Sequence, residues 1–219
     1  MAAKAIIFDM DGVLTDSEPV INEAAIRGLR EYGIDPAPRD FEPFVGMGED
    51  RYIGGVAEAH GLTYVPEMKR RVYQIYLEIL PGLLTPFAGV HGLIDALNEA
   101  GYDLALASSA DRIKVSANLD AIGLPESRFR VITAGEDVRD KKPSPSIYLA
   151  TAGGLGHEPR QCTVVEDALS GVRAAKSAGM RCAAVATSFA AAELERAGAD
   201  VVRPCLADLA IADLDPSAQ

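Results

Sequence analysis

Five short apolar runs recur along the chain, at residues 5–8, 104–107, 131–134, 163–165 and 183–186. A short apolar run flanked by polar or glycine residues is typical of a strand that is buried on both faces of a parallel sheet. Helical patterns separate the runs, and three of these patterns end at Gly101, Gly123 and Gly179, as helices often do. The alternation predicts an α/β fold with a doubly wound parallel sheet.

One stretch, residues 17–86, departs from this alternation because its pattern is helical only. The first helical pattern begins at Asp16 or Ser17 and ends near Gly33, the second stops at Gly61, and the third opens at Pro66. These residue types are typical of helix ends. We therefore predict an all-helical domain over residues 17–86, inserted into an α/β core domain formed by residues 1–16 and 87–219.

The chain of 219 residues carries a formal net charge of −11. A strongly acidic surface repels nucleic acids and anionic membranes, so we expect neither as a partner. It also repels phosphate esters, so a site for them must bring its own positive charge from a metal ion, a lysine or helix N-termini. We expect a monomer or a weak homodimer.

The three cysteines, Cys162, Cys182 and Cys205, are odd in number and form no Cys-x-x-Cys pair. This pattern favours neither a disulfide framework nor a zinc site. The first residues show no signal-peptide pattern, and no apolar run approaches membrane-spanning length. We expect three buried thiols in a cytoplasmic protein.

Two carboxylates, Asp9 and Asp11, come directly after the first apolar run, and Gly12 follows them. Ligands of doubly wound sheets bind at the carboxyl ends of the strands. There, one carboxylate can attack phosphorus while the other moves a proton, and the two can also converge on a metal ion. A plain strand-end turn is the alternative interpretation, because Asp and Gly favour turns.

Three further polar groups follow later apolar runs: Ser108 with Ser109, Lys142 before Pro143, and Glu166 with Asp167. Hydroxyl and ammonium groups can bind a phosphoryl group, and adjacent carboxylates can bind a hard cation. Taken singly, each group also has a structural interpretation, as a helix cap or an exposed basic turn. Capping does not explain all four groups in this order after four predicted strands.

The ordered set resembles the haloacid dehalogenase (HAD) superfamily of phosphotransferases over nearly the whole chain. The resemblance rests on the segment 9–18, then Ser108, then Lys142-Pro143, then Glu166-Asp167. The most similar branch includes β-phosphoglucomutase, phosphoglycolate phosphatase and sugar-phosphate phosphatases. It implies a Rossmann-like core and a helical cap domain, here residues 17–86.

The resemblance also implies roles for individual residues. Asp9 matches the nucleophile that becomes an aspartyl-phosphate, and Asp11 matches the acid/base that protonates the leaving group and then activates water. Ser108, with Ser109 beside it, matches the phosphate-binding hydroxyl. Lys142 matches the lysine that stabilises charge on the nucleophile and on the phosphoryl group.

The cofactor that the resemblance implies is Mg²⁺. Its ligands would be the Asp9 carboxylate, the Asp11 backbone carbonyl and Asp167, with Glu166 either a further ligand or a support for the ligands. Magnesium and Lys142 would neutralise the charge that otherwise keeps a carboxylate away from a phosphate dianion.

Within the superfamily, Asp11 separates this chain from the dehalogenases, which lack that aspartate. β-Phosphoglucomutases carry a cap histidine where this chain has Ile21 and a cap arginine where it has Glu49. Both departures favour a phosphatase for small phosphorylated metabolites, such as sugar phosphates or phosphoglycolate. A β-phosphoglucomutase-like phosphomutase and a non-catalytic phosphate-binding relative remain as alternatives.

The segment 45–51 of the predicted cap contains two glycines and Arg51, and we expect it to reach over the site. Glycine permits close approach to a substrate. Arg51 has two interpretations: it binds a hydroxyl, carboxylate or distal phosphate of the substrate, or it is an exposed surface arginine.

Overall fold

A parallel sheet forms the centre of the computed structural model, which describes residues 4–44 and 48–217. Its six strands are β1 (Ala5–Phe8), β2 (Asp103–Ala107), β3 (Val131–Thr133), β4 (Cys162–Glu166), β5 (Arg181–Val185) and β6 (Val201–Arg203). They lie in the order β3-β2-β1-β4-β5-β6, and every neighbouring pair is parallel. The predicted α/β fold with a doubly wound parallel sheet is confirmed.

The strand order places β1 at the centre of the sheet, between β2 and β4. Phe8, the last residue of β1, pairs with Leu106 of β2 and with Val165 of β4. The chain winds outward from β1 in both directions, so a crevice opens at the carboxyl ends of these central strands. The residues that follow Phe8, Ala107 and Val165 therefore lie side by side at one edge of the sheet.

Eight α-helices accompany the sheet in the described part of the chain. They are α1 (Glu18–Arg30), α2 (Glu49–Ala59), α3 (Pro66–Ile79), α4 (Val90–Glu99), α5 (Arg112–Ala121), α6 (Ser146–Leu155), α7 (Leu169–Ser177) and α8 (Ala191–Ala197). Helices α1 to α3, with a short 3-10 helix at Pro38–Phe44, lie between β1 and β2 in the sequence. The predicted division into a core and a cap domain stays a prediction.

The sheet is buried on both faces, as its apolar strands predict. Ile6 and Phe8 belong to a core with α4, α5 and the first three helices, whereas Ala5 and Ile7 belong to a second core with α6 and α7. This alternation follows from the period of two along a strand, which points successive side chains to opposite faces. The two cores hold the strand ends rigidly, and thereby the residues that follow them.

The structure corrects the expectation for the cysteines and adds a contact at Ser17. Cys205 is half-buried, unlike the buried Cys162 and Cys182, so the expectation of three buried thiols is wrong for one of them; all three are free. Ser17 occupies the N-cap position of α1 without a capping hydrogen bond from its side chain. Instead, the Ser17 hydroxyl donates to Asp11 Oδ1.

Among the described residues, no helix has both the length and the apolar character needed to cross a bilayer.

Helix α7 approaches the end of β4 so closely that it requires a glycine. A Cβ atom on Gly171 would lie 1.6 Å from Glu166 Oε1, whereas a Cβ atom on Gly153 of α6 would meet nothing within 4 Å. Both glycines are helical, so the second is a matched control for the first.

We expect Gly171→Ala to lower the free energy of unfolding by about 1–3 kcal/mol, because a buried carboxylate must move to admit the methyl group. Gly153→Ala should raise it by up to about 1 kcal/mol through helix propensity alone. Chemical denaturation of the two variants measures both effects. Equal stability of the two variants would contradict the close packing of α7 on Glu166.

Candidate active site

All seven candidate site residues that the sequence predicted line one cavity at the carboxyl ends of the central strands. The cavity has a volume of about 660 Å³. The seven residues are Asp9, Asp11, Ser108, Ser109, Lys142, Glu166 and Asp167. Residues 133 positions apart in the sequence, Asp9 and Lys142, are in direct contact there.

Asp9 is the first residue after β1 and is buried, with 7% of its surface exposed. Its backbone N–H donates to Val165 O at 3.0 Å, which extends the ladder between β1 and β4 by one step. Its carboxylate accepts a hydrogen bond from Lys142 Nζ at 2.6 Å. Burial raises the pKa of Asp9 to about 7; Lys142 opposes this rise, and the nearby Glu166 carboxylate adds to it.

Lys142 lies between two buried carboxylates. Its Nζ atom is 2.6 Å from Asp9 Oδ1 and 2.6 Å from Glu166 Oε1. Burial works to lower the pKa of Lys142, but these two anions hold it well above its ordinary value. The ammonium is therefore a fixed positive charge, and the interpretation of Lys142 as part of an exposed basic turn is wrong.

Glu166 uses both of its carboxylate oxygens in hydrogen bonds within the protein. Oε1 accepts from Lys142 and from the Tyr148 hydroxyl at 2.9 Å, and Oε2 accepts from the backbone N–H groups of Asp167 and Ala168 at 2.8 and 2.7 Å. Burial favours a raised pKa, but Lys142 and these donors hold the pKa of Glu166 below its ordinary value.

Asp167 lies across the crevice from Gly12, in the segment that follows β1. A Cβ atom on Gly12 would lie 1.9 Å from Asp167 Oδ2, so only a glycine leaves room for this carboxylate. The Ser188 hydroxyl donates to the same oxygen. Burial, together with Glu166 and Asp9, raises the pKa of Asp167 to about 9.

Ser108 follows β2 and is buried, with 2% of its surface exposed. Its Oγ atom accepts from the backbone N–H of Ala110 at 3.2 Å. Helix α5 begins later, with Asp111 at its N-cap position, so the interpretation of Ser108 as a helix cap is wrong. Its neighbour Ser109 is half-buried and also lines the cavity.

Asp11 is bound at both carboxylate oxygens. The Ser17 hydroxyl donates to Oδ1, and Lys114 Nζ donates to Oδ2 at 3.0 Å. Lys114 belongs to α5, lies 3.7 Å from Glu49 Oε1 and has 5% of its surface exposed. The sequence analysis missed Lys114, although a lysine between Ile113 and Val115 and one turn before Asn118 gave a weak signal of an unusual helix face.

A second group that sequence reasoning missed follows β5. The Thr187 hydroxyl donates to Gly12 O at 2.5 Å, and Ser188 binds Asp167 as described. Both residues, with Phe189, line the cavity. The signal was available, because Thr187 and Ser188 follow an apolar run as the other polar groups do.

Arg51 lies outside the set of residues that line the cavity. It pairs with Glu58 at 2.7 Å, lies over the Phe44 ring and is about half exposed. This arrangement supports the interpretation of Arg51 as a surface arginine. Residues 45–47 of the expected substrate-facing segment are outside the described residues, whereas Gly48 and Glu49 line the cavity.

The donor set fits a hard divalent cation. Seven carboxylates but only three cationic side chains line the cavity in the described part of the chain. Burial and neighbouring carboxylates raise the pKa of Asp9 and of Asp167, so a cation beside them would favour their charged forms. No cluster of three or more His, Cys, Asp or Glu side chains within residues 4–44 and 48–217 could hold a metal ion by itself. Mg²⁺ is commonly bound by one or two carboxylates with water and substrate oxygens, so two carboxylates suffice.

Comparison with known proteins gives relatives along almost the whole chain. A protein of Arabidopsis thaliana, "Protein SUPPRESSOR OF QUENCHING 1, chloroplastic", is 41% identical over 214 residues, which are 96% of this chain and 20% of that protein. The chain thus spans a fifth of that relative's length. A "Phosphorylated carbohydrates phosphatase" of Thermotoga maritima is 35% identical over 187 residues, 81% of this chain and 82% of that protein.

Among solved structures, CbbY from Rhodobacter sphaeroides in complex with phosphate has a TM-score of 0.87 and 29% sequence identity, and the match covers 97% of this chain and 99% of that one. A variant of the same protein in complex with xylulose-(1,5)bisphosphate matches equally well.

A model of one protein family, described as haloacid dehalogenase-like hydrolases, matches residues 6–185. This match covers most of the chain and includes every candidate site residue. The predicted resemblance and the predicted enzyme class, a phosphatase, are confirmed: the chain belongs to the haloacid dehalogenase-like hydrolase family.

Proposed function

We propose that this chain is a magnesium-dependent phosphatase that hydrolyses small phosphorylated carbohydrates through an aspartyl-phosphate on Asp9. One observation carries the proposal: a buried carboxylate, Asp9, lies 2.6 Å from the Lys142 ammonium in a cavity that also holds Asp11, Ser108 and Asp167. A nucleophile, a fixed cation, a hydroxyl and two further acids are the groups that phosphoryl transfer requires.

In the first step, Asp9 attacks phosphorus, and the bond from phosphorus to the leaving oxygen breaks. Lys142 touches Asp9 Oδ1 and stays positively charged, so it offsets the repulsion between the carboxylate and the phosphate dianion. We infer that the Ser108 hydroxyl, whose oxygen accepts from the Ala110 N–H, donates to a phosphoryl oxygen. Ser109 extends the same wall of the cavity.

Asp11 moves the protons of the reaction. In its acid form it gives a proton to the departing alcohol oxygen. As a carboxylate it then takes a proton from a water that attacks phosphorus, which breaks the bond from phosphorus to Asp9 and releases inorganic phosphate. Asp11 is half-buried, so both the leaving group and water can reach it from the cavity.

For magnesium, we propose the Asp9 carboxylate, the Asp167 carboxylate and the Asp11 backbone carbonyl as ligands. The bound ion would supply charge stabilisation of the phosphoryl oxygens and orient them for in-line attack. Both oxygens of Glu166 already accept hydrogen bonds from the protein. We therefore assign to Glu166 the support of Lys142 and of the backbone at Asp167 instead of direct metal binding.

The substrate class rests on the relatives and on the cavity. The Thermotoga maritima relative is named as a phosphatase of phosphorylated carbohydrates, and a CbbY structure contains a sugar bisphosphate. A volume of about 660 Å³ accommodates a sugar phosphate. A phosphoglycolate-type substrate is smaller than a sugar phosphate, so it would leave much of this cavity filled by water.

Residues 17–86 remain our proposed cap domain. The Thr15 hydroxyl donates to Thr85 O at 2.7 Å, so the two segments that lead into and out of the helical insertion are joined. Motion about this pair would open the cavity to substrate and close it against bulk water. The monomer or weak homodimer, the cytoplasmic location and the absence of nucleic-acid and membrane partners stay predictions.

We expect Asp9→Asn to abolish phosphate release from a panel of sugar phosphates and to leave the thermal unfolding midpoint within a few degrees. The substitution removes the nucleophile and changes the volume little. Quench of a single turnover followed by mass spectrometry should show a phosphorylated intermediate in the wild type only. Wild-type turnover by the variant would exclude Asp9 as the nucleophile.

We expect activity to disappear after chelation, to return with Mg²⁺, and to be inhibited by Ca²⁺. Calcium binds more oxygens at longer distances than magnesium, so it can engage the second Asp9 oxygen that must attack. Initial rates across a titration of each ion, on enzyme stripped of metal, measure this. Full activity in the stripped enzyme would refute the metal assignment.

The relative kcat/KM values for different phosphate esters should depend on Arg173 and not on Arg51. Arg173 lines the cavity from α7, and it has no acidic partner among the described residues, whereas Arg51 lies outside and pairs with Glu58. Arg173→Gln should lower kcat/KM about threefold to tenfold for esters with a second anionic group and leave neutral polyol phosphates unchanged. Arg51→Gln is the matched control. An altered ranking in Arg51→Gln alone would reverse the assignment.

A further inference from the structure

Lys114 is a buried cation that the proposed chemistry does not use directly. It lies on α5, and 6% of its side chain is exposed. An ammonium group at this depth is costly unless charged partners surround it. Its partners are Asp11 Oδ2 at 3.0 Å and Glu49 Oε1 at 3.7 Å. Both carboxylates belong to the protein, so the ammonium is paired before any substrate binds.

The contact with Lys114 completes the restraint on Asp11. The Ser17 hydroxyl donates to one carboxylate oxygen and Lys114 to the other. Two donors on two different oxygens define the position of the carboxylate and the rotation of its plane. Proton transfer depends on both, because the acid must reach the leaving oxygen along a hydrogen-bond direction.

Lys114 is itself placed by contacts between α5 and the helical insertion. One turn further along α5, Asn118 Oδ1 accepts a hydrogen bond from the Tyr76 hydroxyl of α3. Just before α5, Asp111 pairs with Lys69 of α3 at 3.0 Å. Glu49, the second partner of Lys114, is the first residue of α2. The Lys114 ammonium therefore links Asp11, which lies after β1, to Glu49 of the helical insertion.

We propose that Lys114 is a positioning residue for Asp11: it holds the carboxylate in the orientation for proton transfer, and Glu49 holds Lys114 in place from α2. The proposal rests on the proposed role of Asp11. Because Lys114 acts through Asp11, its removal should affect only reactions in which the leaving group needs a proton.

The test compares two phosphate esters. 4-Nitrophenyl phosphate has a leaving group that departs without a proton, whereas a sugar phosphate has an alkoxide leaving group that needs one. Lys114→Met removes the charge and retains most of the side chain. We expect it to lower kcat for the sugar phosphate about tenfold to a hundredfold, with kcat for 4-nitrophenyl phosphate and both KM values within about threefold.

A double-mutant cycle separates positioning from other roles. In the Asp11→Asn background, Lys114→Met should cause no further loss on the sugar phosphate, because the residue that it positions is already disabled. Glu49→Gln should give the same pattern as Lys114→Met with a smaller amplitude. Lys176→Met is the control for loss of a lysine–carboxylate pair away from the cavity, since Lys176 pairs with Asp200 at 2.7 Å on the surface; it should change neither ester.

Equal losses on both esters, or losses that add in the Asp11→Asn background, would overturn the positioning role. If Lys114→Met does not fold, as circular dichroism would show, the result for Glu49→Gln on the two esters decides the question alone. Failure of the proposed function looks different: Asp9→Asn or Asp11→Asn would then retain activity on the sugar phosphate whatever Lys114→Met does.

Discussion

The site depends on one buried ion-pair network, in which the Lys142 ammonium lies 2.6 Å from both Asp9 and Glu166. Removing three charged groups from water is expensive, and the cost is offset only where geometry and further hydrogen bonds are good. Here Tyr148 and two backbone N–H groups complete the partners of Glu166. Glu166 in turn fits only because Gly171 has no side chain. Strands β1 and β4, helix α7 and the Lys142 segment are thus bound to one another by the same charges that surround Asp9, the proposed nucleophile.

This network also accounts for how an acidic protein can attract a phosphate. The net charge of −11 works against phosphate at long range, and the cavity itself has more carboxylates than cations. Burial and neighbouring carboxylates raise the pKa values of Asp9 and Asp167, so the charged forms of both lack sufficient stabilisation. The proposed Mg²⁺ would relieve this imbalance, and attraction of the phosphate would then be conditional on the metal. On this proposal, the charge beside Asp9 has two sources, the fixed Lys142 ammonium and an exchangeable ion.

Much of this arrangement could be predicted from the sequence because it depends on the sheet. Asp9 and Ser108 follow β1 and β2 directly, Glu166 is the last residue of β4, and the ends of neighbouring parallel strands meet at one edge. Lys114 and Arg173 could not be found this way, since they lie on helices whose rotation about their own axes is set by packing. Arg51 was a candidate because of its glycine-containing neighbourhood, but a local pattern does not determine which side of α2 faces the cavity. Strand β6 was missed because three half-buried residues at a sheet edge leave too short an apolar signal.

The two lysines of the cavity have the same pattern of partners but join different parts of the protein. Lys142 lies between Asp9 and Glu166, both at the ends of strands in the sheet. Lys114 lies between Asp11, two residues beyond Asp9, and Glu49, which begins a helix of the insertion. Asp9, the proposed nucleophile, is therefore held by the end of a strand and by Lys142, whereas Asp11, the proposed acid/base, is held partly by a lysine whose second partner lies on α2 of the proposed cap domain. Under the proposed roles, Asp9 would be ready to attack at all times, whereas proton transfer by Asp11 would become efficient only when α2 is in place. An enzyme built in this way would protonate the leaving group only after the cavity is closed. The water that Asp11 then activates could attack only the enclosed phosphoryl group.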